Sequence, residues 1–532
     1  MTSLDLAIAG LYIAGILVLG YVVSRSIHGF RDYFVAGGRM TAPILICTLV
    51  SSYYGLDVLL GGSEVGFVDG IVGWFWYARP YYLAILLTAV LLARRLRSRG
   101  FLSLPDVAAD SYGQGTRTVV AIASFFYSLP LFALMGIGIL LDVVMGIPFQ
   151  VGVMVGALVA LVYTLMGGLL ADAFTDTIQF TLMCVTLGLA AAFSMEAVGG
   201  VDALRTVLPE SHFHHRGTYP LPVLIVFSTA ALSVFVEPAI YQRIFAARSH
   251  KAILVALGVG IVLWGAYDWV TTLLGMTARA AGVEAIPSYA LITLVVEQLP
   301  VGLTGLFVAG VLATGMSTVD SYLLIAGGNL SYDLYRPLVN PRIGDAALLR
   351  LTRIAIAIAC LISVAFALFF TSVVSAWVFM ATMLVGTAFV PIMAALFARR
   401  GFKPAAGVAS SVTGLLAVTT IYVLVNAFGA QDPGWGTMIW TVEVGGRTLD
   451  IWQEYAVLFA LPASTLAFVL GEWLGRKPPM GRYEPLRSGG AARRAAHRIP
   501  EPSLAGAEMV EGPALADWEE SLAGADREGN IP

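Results

Sequence analysis

Apolar runs of about twenty residues recur along almost the whole of this 532-residue chain. Each run is long enough to cross a hydrocarbon layer of roughly 30 Å as a helix. The runs are continuous and do not alternate in ten-residue segments, which favours helices over a β-barrel. Charged residues make up 12% of the chain, against roughly 25% in soluble domains. The sequence therefore predicts an all-α, polytopic membrane protein.

The apolar runs predict about thirteen transmembrane helices. Their expected bounds are 5–24, 41–66, 71–93, 118–143, 148–167, 171–198, 220–246, 252–276, 302–329, 351–370, 373–398, 404–427 and 455–475. Beyond residue 477 the chain is rich in Ala, Gly, Pro, Arg and Glu without apolar periodicity, which is typical of disorder. We expect four parts: a first helix with its cytoplasmic loop at 1–40, a ten-helix core at 41–398, two additional helices at 399–477 and a disordered cytoplasmic tail at 478–532.

Arginine and lysine residues are unevenly shared between the predicted loops. One alternate set of loops holds eighteen of them, whereas the opposite set holds only Arg205, Arg216, Arg279 and Arg447. Positive residues accumulate on the cytoplasmic side of a membrane. The bias predicts a multi-pass protein of the plasma (inner) membrane, with its N-terminus outside and its C-terminus in the cytoplasm.

Two of the predicted helices contain breaks at membrane depth. The second carries Tyr54-Gly55, and the seventh carries Glu237-Pro238. Glycine weakens a helix locally, and proline removes one of its hydrogen bonds. Paired interruptions at matching positions of two halves indicate a binding site in transporters built from inverted repeats. For either helix alone, an ordinary kink with glycine packing is the alternative.

The ninth predicted helix carries a polar face inside an apolar segment. Thr314, Ser317, Thr318 and Ser321 recur at helical spacing, and Asp320 stands beside them. An aspartate at the bilayer centre costs roughly 2.5–3.5 kcal/mol, so its presence favours a function. Hydroxyl and carboxylate oxygens are ligands for hard cations. The alternative is that the hydroxyls bond to carbonyls one turn earlier, as is common in membrane helices.

Several stretches resemble the sodium/solute symporter family. Met316-Ser-Thr-Val-Asp-Ser321, followed by Ser331-Tyr-Asp-Leu-Tyr335, is similar to a core helix of that family. Further similar stretches, covering roughly residues 30–340 in the expected order, are Asp32 to Met40, Leu102 to Asp106 with Tyr112-Gly113, Gly167-Gly168 through Gln179, and Gln242-Arg243 with Ala246-Ala247.

The resemblance implies a LeuT-type core of ten helices in a five-plus-five inverted repeat, formed here by the second to eleventh helices. It also implies a first sodium site. Two backbone carbonyls of the first core helix would come from Ser51 and Tyr54. A carbonyl and two hydroxyls of the eighth core helix would come from Thr314, Ser317 and Thr318.

A second sodium site is a further hypothesis from the same resemblance. Asp176 matches an aspartate that some members use for a second sodium ion or an exit route, and Asp320 and Ser321 stand where its remaining oxygens would come from. A solvated position of Asp176 near the end of its helix is the alternative.

Charged residues near the two breaks are candidates for the solute site. Asp57 and Glu237 stand in the broken helices, and Arg79 lies in the third. An arginine inside a membrane normally faces the bundle interior and pairs with a carboxylate. These side chains would either line a pocket for a charged or zwitterionic solute, or form an internal Arg79–Asp57 or Arg79–Glu237 pair. Asp57 departs from the family pattern, which blocks the transfer of a known solute.

These features together predict sodium-coupled symport of a small polar organic solute by alternating access. Proton coupling in the same fold is the alternative, and a membrane sensor is a second. We expect no enzyme activity, because neither an H-E-x-x-H helix nor a G-x-S-x-G elbow occurs. The expected partners are the solute, Na⁺ as coupling ion and the lipid bilayer, with no other cofactor and no nucleic acid. The sequence names neither the solute, the stoichiometry nor the oligomeric state.

Overall fold

The computed structural model of the chain describes residues 1–25, 29–369, 373–398, 401–431 and 437–476. These residues are almost entirely helical. The predicted disordered tail at 478–532 lies outside the described residues.

The structure contains twenty-two α-helices in its described part. In chain order they are α1 Ser3–Ser24, α2 Phe30–Val35, α3 Ala42–Tyr53, α4 Leu56–Asp69, α5 Arg79–Leu87, α6 Ala93–Arg97, α7 Leu104–Tyr112, α8 Gln114–Tyr127, α9 Leu131–Met145, α10 Phe149–Ala197, α11 Gly200–Val207, α12 Leu221–Ala230, α13 Pro238–Ala246, α14 His250–Ala280, α15 Pro287–Gln298, α16 Leu303–Gly328, α17 Arg336–Leu338, α18 Asp345–Ala367, α19 Val373–Leu384, α20 Val390–Phe397, α21 Pro404–Phe428 and α22 Ala456–Leu474. Short π-helical segments continue several of these helices without a loop, as at Trp74–Ala78 and Asn329–Tyr335.

Eleven helical segments of the described residues are long and apolar enough to cross a membrane, or twelve if the bent pair α3–α4 counts as one span. The predicted number of thirteen is not confirmed. The difference lies in α10, which is one element of 49 residues where the sequence predicts two helices. A straight helix of that length would extend about 73 Å. Gly168, with φ 53° and ψ −164°, breaks its helical geometry between the two predicted segments.

The break predicted in the second transmembrane helix is confirmed. α3 ends at Tyr53, α4 begins at Leu56, and the two axes differ by 54°. Tyr54 between them has φ −95° and ψ 72°, which is not helical. Glycine at position 55 allows the Asp57 carboxylate and the Thr318 hydroxyl to lie close to the backbone, because a Cβ there would overlap both groups.

The break predicted at Glu237-Pro238 is also present. α12 ends at Ala230, and a 3₁₀ turn continues to Val236. Glu237 is extended, with ψ 112°, and α13 begins at Pro238. This geometry arises from the ring of proline, which disfavours helical geometry in the residue before it.

Helix α16 lies at the centre of the bundle. Almost every residue from Thr304 to Gly328 is buried, and the helix packs against α1, α3, α9, α10 and α18. Gly310, Gly315 and Gly327 of α16 each stand where a Cβ would overlap a neighbouring helix. The polar face of α16 is therefore held against other helices and not against lipid.

A small antiparallel sheet between α21 and α22 departs from the all-helical expectation. Its strands are β1 Ala430–Gln431, β2 Met438–Val444 and β3 Arg447–Trp452, in the order β1-β2-β3. Gly445 and Gly446, both with positive φ, form the two-residue turn between β2 and β3, and this turn twists in the sense that a hairpin needs. The alternation around Gly-Gly is a hairpin signal that was not recognised from the sequence.

Candidate functional site

The residues predicted for the first sodium site meet at the break between α3 and α4. The Ser317 hydroxyl donates to the backbone carbonyl of Ser51 at 2.9 Å, linking α16 to α3. The Thr314 carbonyl accepts from the hydroxyls of Ser317 at 3.0 Å and Thr318 at 3.1 Å. Ser51 lies in the last turn of α3, where backbone carbonyls have no hydrogen-bond partner within the helix. Oxygen atoms of both helices are thus collected in one buried place.

Tyr54 and Thr314 have additional contacts of their own. The Tyr54 hydroxyl lies 3.1 Å from the hydroxyl of Thr271 on α14, and its ring packs against Tyr267. The Thr314 hydroxyl donates to the Gly310 carbonyl at 2.9 Å. The Thr314 and Thr318 hydroxyls therefore both follow the structural alternative and bond to a carbonyl one turn back, whereas the Ser317 hydroxyl lies between the Thr314 carbonyl and the Ser51 carbonyl of α3.

An aromatic cleft opens beside this break. Its cavity has a volume of about 60 Å³, and aromatic side chains make up most of its wall. We call it the aromatic cleft; its lining residues are Tyr53, Tyr54, Asp57, Val58, Tyr77, Ala78, Tyr81, Tyr82, Ile85, Tyr127, Trp264, Asp268, Tyr322 and Trp377. Concave, mostly apolar sites with a few polar groups are typical of small-molecule binding.

Asp57 is part of the cleft wall, as the sequence predicts for a solute-site residue. It stands in the first turn of α4, and its carboxylate and the Thr318 hydroxyl both crowd the Cα of Gly55. The aromatic cleft and the candidate sodium site are therefore direct neighbours at Gly55.

Glu237 lies behind the wall of the cleft and is completely buried. Its carboxylate accepts hydrogen bonds from the hydroxyls of Tyr127 and Tyr322, the latter at 3.1 Å. It also caps α13 by accepting from the backbone N–H of Ala239 at 3.3 Å. Glu237 is thus a positioning residue for two tyrosines of the cleft.

Asp268 on α14 was not recognised from the sequence as a site residue. It lines the cleft, and it accepts a hydrogen bond from the Tyr82 hydroxyl. From the sequence, Asp268 was placed towards a helix end and given no role. The available indication was a carboxylate within an apolar helix, which is costly to bury.

Arg79 does not face the bundle interior, so the predicted Arg79–Asp57 and Arg79–Glu237 pairs are wrong. Its side chain is exposed, and the guanidinium lies over the rings of Trp74 and Phe75, at 5.7 Å and 5.1 Å from their centroids. A long arginine side chain near a helix end reaches outward more cheaply than it buries its charge, and two aromatic rings support it there.

A buried ionic network lies on the other side of the α3 break. Arg243 of α13 is fully buried and forms an ion pair with Asp172 of α10 at 3.3 Å. The same guanidinium nitrogen, which carries two protons, also lies within hydrogen-bond distance of three hydroxyls on α3 and α16, namely Thr48 at 3.2 Å, Ser52 at 2.7 Å and Ser321 at 2.5 Å. We call this the Arg243 network.

The residues predicted for a second sodium site are divided by this network. Ser52 links Asp176, at 3.2 Å, to Ser321, at 2.9 Å. Asp320 points elsewhere, with Oδ1 accepting from Thr164 at 2.7 Å. No group of three or more acidic, histidine or cysteine side chains within the described ranges forms a metal-type cluster. A fixed guanidinium lies among the oxygens where a sodium ion was predicted.

Two arginines counted among the cytoplasmic loops are not loop residues. Arg243 is buried in the Arg243 network, and Arg117 of α8 is buried in ion pairs with Asp106 at 3.1 Å and Asp333 at 3.0 Å. Asp106 and Asp333 belong to two stretches on which the family resemblance depends, so the structure joins these stretches through Arg117. The remaining sixteen positive residues still outnumber the four on the opposite side.

Comparison with known proteins gives one family and several distant relatives. A model described as "Sodium:solute symporter family" matches residues 33–428. The sodium/proline symporter of Escherichia coli (strain K12) is 26% identical over 379 residues, covering 67% of this chain and 75% of that protein. The sodium/glucose cotransporter of Vibrio parahaemolyticus is 24% identical, covering 68% and 75%. The human high affinity choline transporter 1 is 23% identical, covering 74% and 71%.

The fold is similar to solved transporter structures. A substrate-bound, outward-open Na⁺-coupled sialic acid symporter superposes with a TM-score of 0.75 at 17% identity, covering 90% of this chain and all of that one. A nucleobase-cation-symport-1 family transporter gives a TM-score of 0.50 at 10% identity, covering 83% and 95%. At these identities the likeness concerns the fold alone.

Proposed function

Because this chain belongs to the sodium:solute symporter family, with the LeuT-type fold, we propose that its coupling ion binds at the α3–α4 break and its solute in the aromatic cleft. The protein is a sodium-coupled secondary transporter and not an enzyme. It is an integral, multi-pass membrane protein.

The proposed sodium ligands are the carbonyls of Ser51, Tyr54 and Thr314 and the hydroxyls of Ser317 and Thr318. The observation that carries this assignment is the bond from the Ser317 hydroxyl to the Ser51 carbonyl across the break, at 2.9 Å. It brings oxygens of both broken and unbroken helices together without any carboxylate among them. Hard cations take such neutral oxygens together with others, and several are needed to replace water.

The aromatic cleft is the proposed solute site because it adjoins the sodium ligands at Gly55. A solute in the cleft and an ion at the break would share contacts with α3 and α16, so each would favour the conformation that the other binds. Coupling of this kind requires only such reciprocal preference. Inward sodium flow then supplies about 2.3 kcal/mol per charge for every 100 mV of membrane potential. The relatives are named for proline, glucose and choline, so the solute does not transfer from them.

The second predicted sodium site, formed by Asp176, Asp320 and Ser321, remains a prediction. The guanidinium of Arg243 already gives Ser321 and Ser52 a positive partner, which weighs against a second ion there. The expected orientation, with the N-terminus outside and the C-terminus in the cytoplasm, likewise remains a proposal supported by the positive residues.

Sodium binding to the purified full-length protein tests the first site. We expect sodium, but not potassium at equal ionic strength, to raise the melting temperature, because a ligand that binds only the folded state stabilises it. Ser317→Ala and Thr318→Ala should each weaken sodium affinity by about 10- to 100-fold, since a hydrogen-bond-type contact to a charge contributes roughly 1.5–3 kcal/mol.

Thr419→Ala is the matched control, because the Thr419 hydroxyl on α21 bonds only to the Leu415 carbonyl one turn back and is exposed. It should leave the sodium response unchanged. Unaltered sodium affinity in both Ser317→Ala and Thr318→Ala would refute the assignment.

A further inference from the structure

The wall of the aromatic cleft contains acidic side chains and no basic ones. Its fourteen lining residues include the carboxylates of Asp57 and Asp268 and contain no lysine, arginine or histidine.

No fixed cation of the described residues neutralises these carboxylates. Arg79, the arginine nearest in sequence to the lining tyrosines, is exposed and stacks on Trp74 and Phe75. Arg243 is engaged by Asp172 and three hydroxyls in its own network. A buried carboxylate without a positive partner is costly, so the occupant that fits this wall best carries a positive charge.

The helix end in the cleft offers little to a solute carboxylate. The first turn of α4 has free N–H groups that would ordinarily attract an anion. Asp57 already stands in that turn, with its carboxylate folded back against Gly55. A second carboxylate would therefore meet a like charge.

The aromatic side chains complete a site for a cation. Trp377 packs against Tyr77 and Tyr81, with ring centroids 4.7 Å and 5.5 Å apart, and Trp264 packs against Tyr53 at 5.4 Å. The faces of such rings attract ammonium groups by about 0.5–2 kcal/mol each.

The tyrosine hydroxyls of the cleft are also oriented for a cation. Tyr127 and Tyr322 donate their protons to Glu237, and Tyr82 donates its proton to Asp268. A hydroxyl that has donated its one proton presents only lone pairs to other groups. These three oxygens therefore act towards the cleft as acceptors, which suits N–H groups or a positive charge and disfavours a solute anion.

We propose that the solute of the aromatic cleft is a small organic ammonium ion, with Asp57 as its counter-ion and the tyrosine and tryptophan rings around its alkyl groups. This inference rests on the proposed function, because it names the substrate class of the same cleft. Asp268 of α14 supplies a second carboxyl group in the wall.

Matched probes that differ only in charge test the proposal. The cations are choline and pyrrolidinium, and their neutral analogues of similar shape are 3,3-dimethyl-1-butanol and tetrahydrofuran; glycine betaine, proline and glucose complete the panel. We expect a cation to raise the melting temperature of the full-length protein further in sodium than in potassium, and its neutral analogue to have no such effect. A sodium-dependent response confined to the zwitterions or neutral probes, or no response to either cation, would overturn the proposal.

Asp57→Asn tests the counter-ion in the same assay. We expect at least a tenfold loss of affinity for the cation, with the sodium response itself retained. Asp142→Asn is the matched control, since Asp142 contacts Tyr289 and is not part of the cleft wall. Equal cation affinity in Asp57→Asn and the unaltered protein would overturn the role of Asp57.

Failure of the sodium site and failure of the charge assignment give different results. If sodium alone does not stabilise the protein, the proposed sodium site fails. If sodium stabilises it and Ser317→Ala abolishes the effect, but the solute response belongs to glucose or proline, only the inference about charge fails.

Discussion

The aromatic cleft and the Arg243 network are built on the same helices but treat charge in opposite ways. On α3, Tyr53 lines the cleft while Ser52 joins the network; on α16, Tyr322 lines the cleft while Ser321 joins the network. The network carries its own cation, which pairs with Asp172. The cleft has carboxylates in its wall and no fixed cation among the described residues. A single step along each helix thus separates a region that contains its own fixed cation from one suited to a positively charged ligand.

The largest effect should come from removing the cation of the network. Arg243→Met leaves buried carboxylates without their positive partner, and breaking a buried ion pair in this way costs about 3–5 kcal/mol. We expect a markedly lower melting temperature of the purified protein. Arg79→Met is the control, because Arg79 is exposed and surface changes stay within about 0.5 kcal/mol. Similar losses in the two variants would contradict the contrast between them.

Gly55→Ala should damage the junction between the cleft and the proposed sodium site. A Cβ there overlaps the Asp57 carboxylate and the Thr318 hydroxyl, and overpacking of this kind costs about 1–3 kcal/mol. The affinity for sodium, measured from the sodium-dependent shift in melting temperature, should fall by more than tenfold. Gly188→Ala on α10, where a Cβ meets nothing within 4 Å, should keep full sodium affinity. Normal sodium binding in Gly55→Ala would show that the two groups do not meet at this glycine.

Tyr322→Phe should act on the cleft without disturbing the network. It removes one of the two hydroxyls that donate to Glu237, and leaving a buried acceptor short of a partner costs about 1–3 kcal/mol. We expect weaker solute binding with sodium affinity largely kept, read as solute-dependent and sodium-dependent shifts in melting temperature. Tyr335→Phe, at an exposed position, is the matched control. A loss of sodium binding equal to the loss of solute binding would mean that the cleft and the sodium site cannot be separated.

The smallest effect is expected for Asp176→Asn on stoichiometry. If Arg243 supplies the positive charge of the network, the number of sodium ions transported per solute should not change, as measured by paired sodium and solute fluxes in proteoliposomes. A ratio lower by one sodium ion would establish the second sodium site predicted from the sequence and would place an exchangeable cation beside the fixed one.

The sequence predicts the breaks and the polar face well, because these depend on local chemistry. Proline at position 238 fixes the extended Glu237 by its own ring. The spacing of Ser317 and Thr318 puts both hydroxyls on one face of a helix whatever its neighbours are.

The sequence does not predict which distant residues meet. Arg243 was assigned to a cytoplasmic loop because it stands at a helix end. In the structure its side chain lies between α3, α10 and α16. Arg79 was assigned to the interior because it stands in an apolar run, yet its long side chain reaches outward. Asp268 was overlooked because only the packing of α14 against Tyr82 brings it to the cleft. In each case the decisive partner lies far away in the chain.

The shared use of α3 and α16 determines where the specificity of the cleft can change. Tyr53 and Tyr322 each stand next to a residue of the network, so a substitution there that changes the size of the side chain acts on both regions, unlike the loss of a single hydroxyl in Tyr322→Phe. The part of the wall that α5, α14 and α19 contribute, through residues such as Tyr81, Trp264 and Trp377, has no member in the Arg243 network. Divergence or engineering towards a new solute therefore has its freest positions on that part of the wall, where the shape of the cargo can be altered while the ion-binding side is left intact.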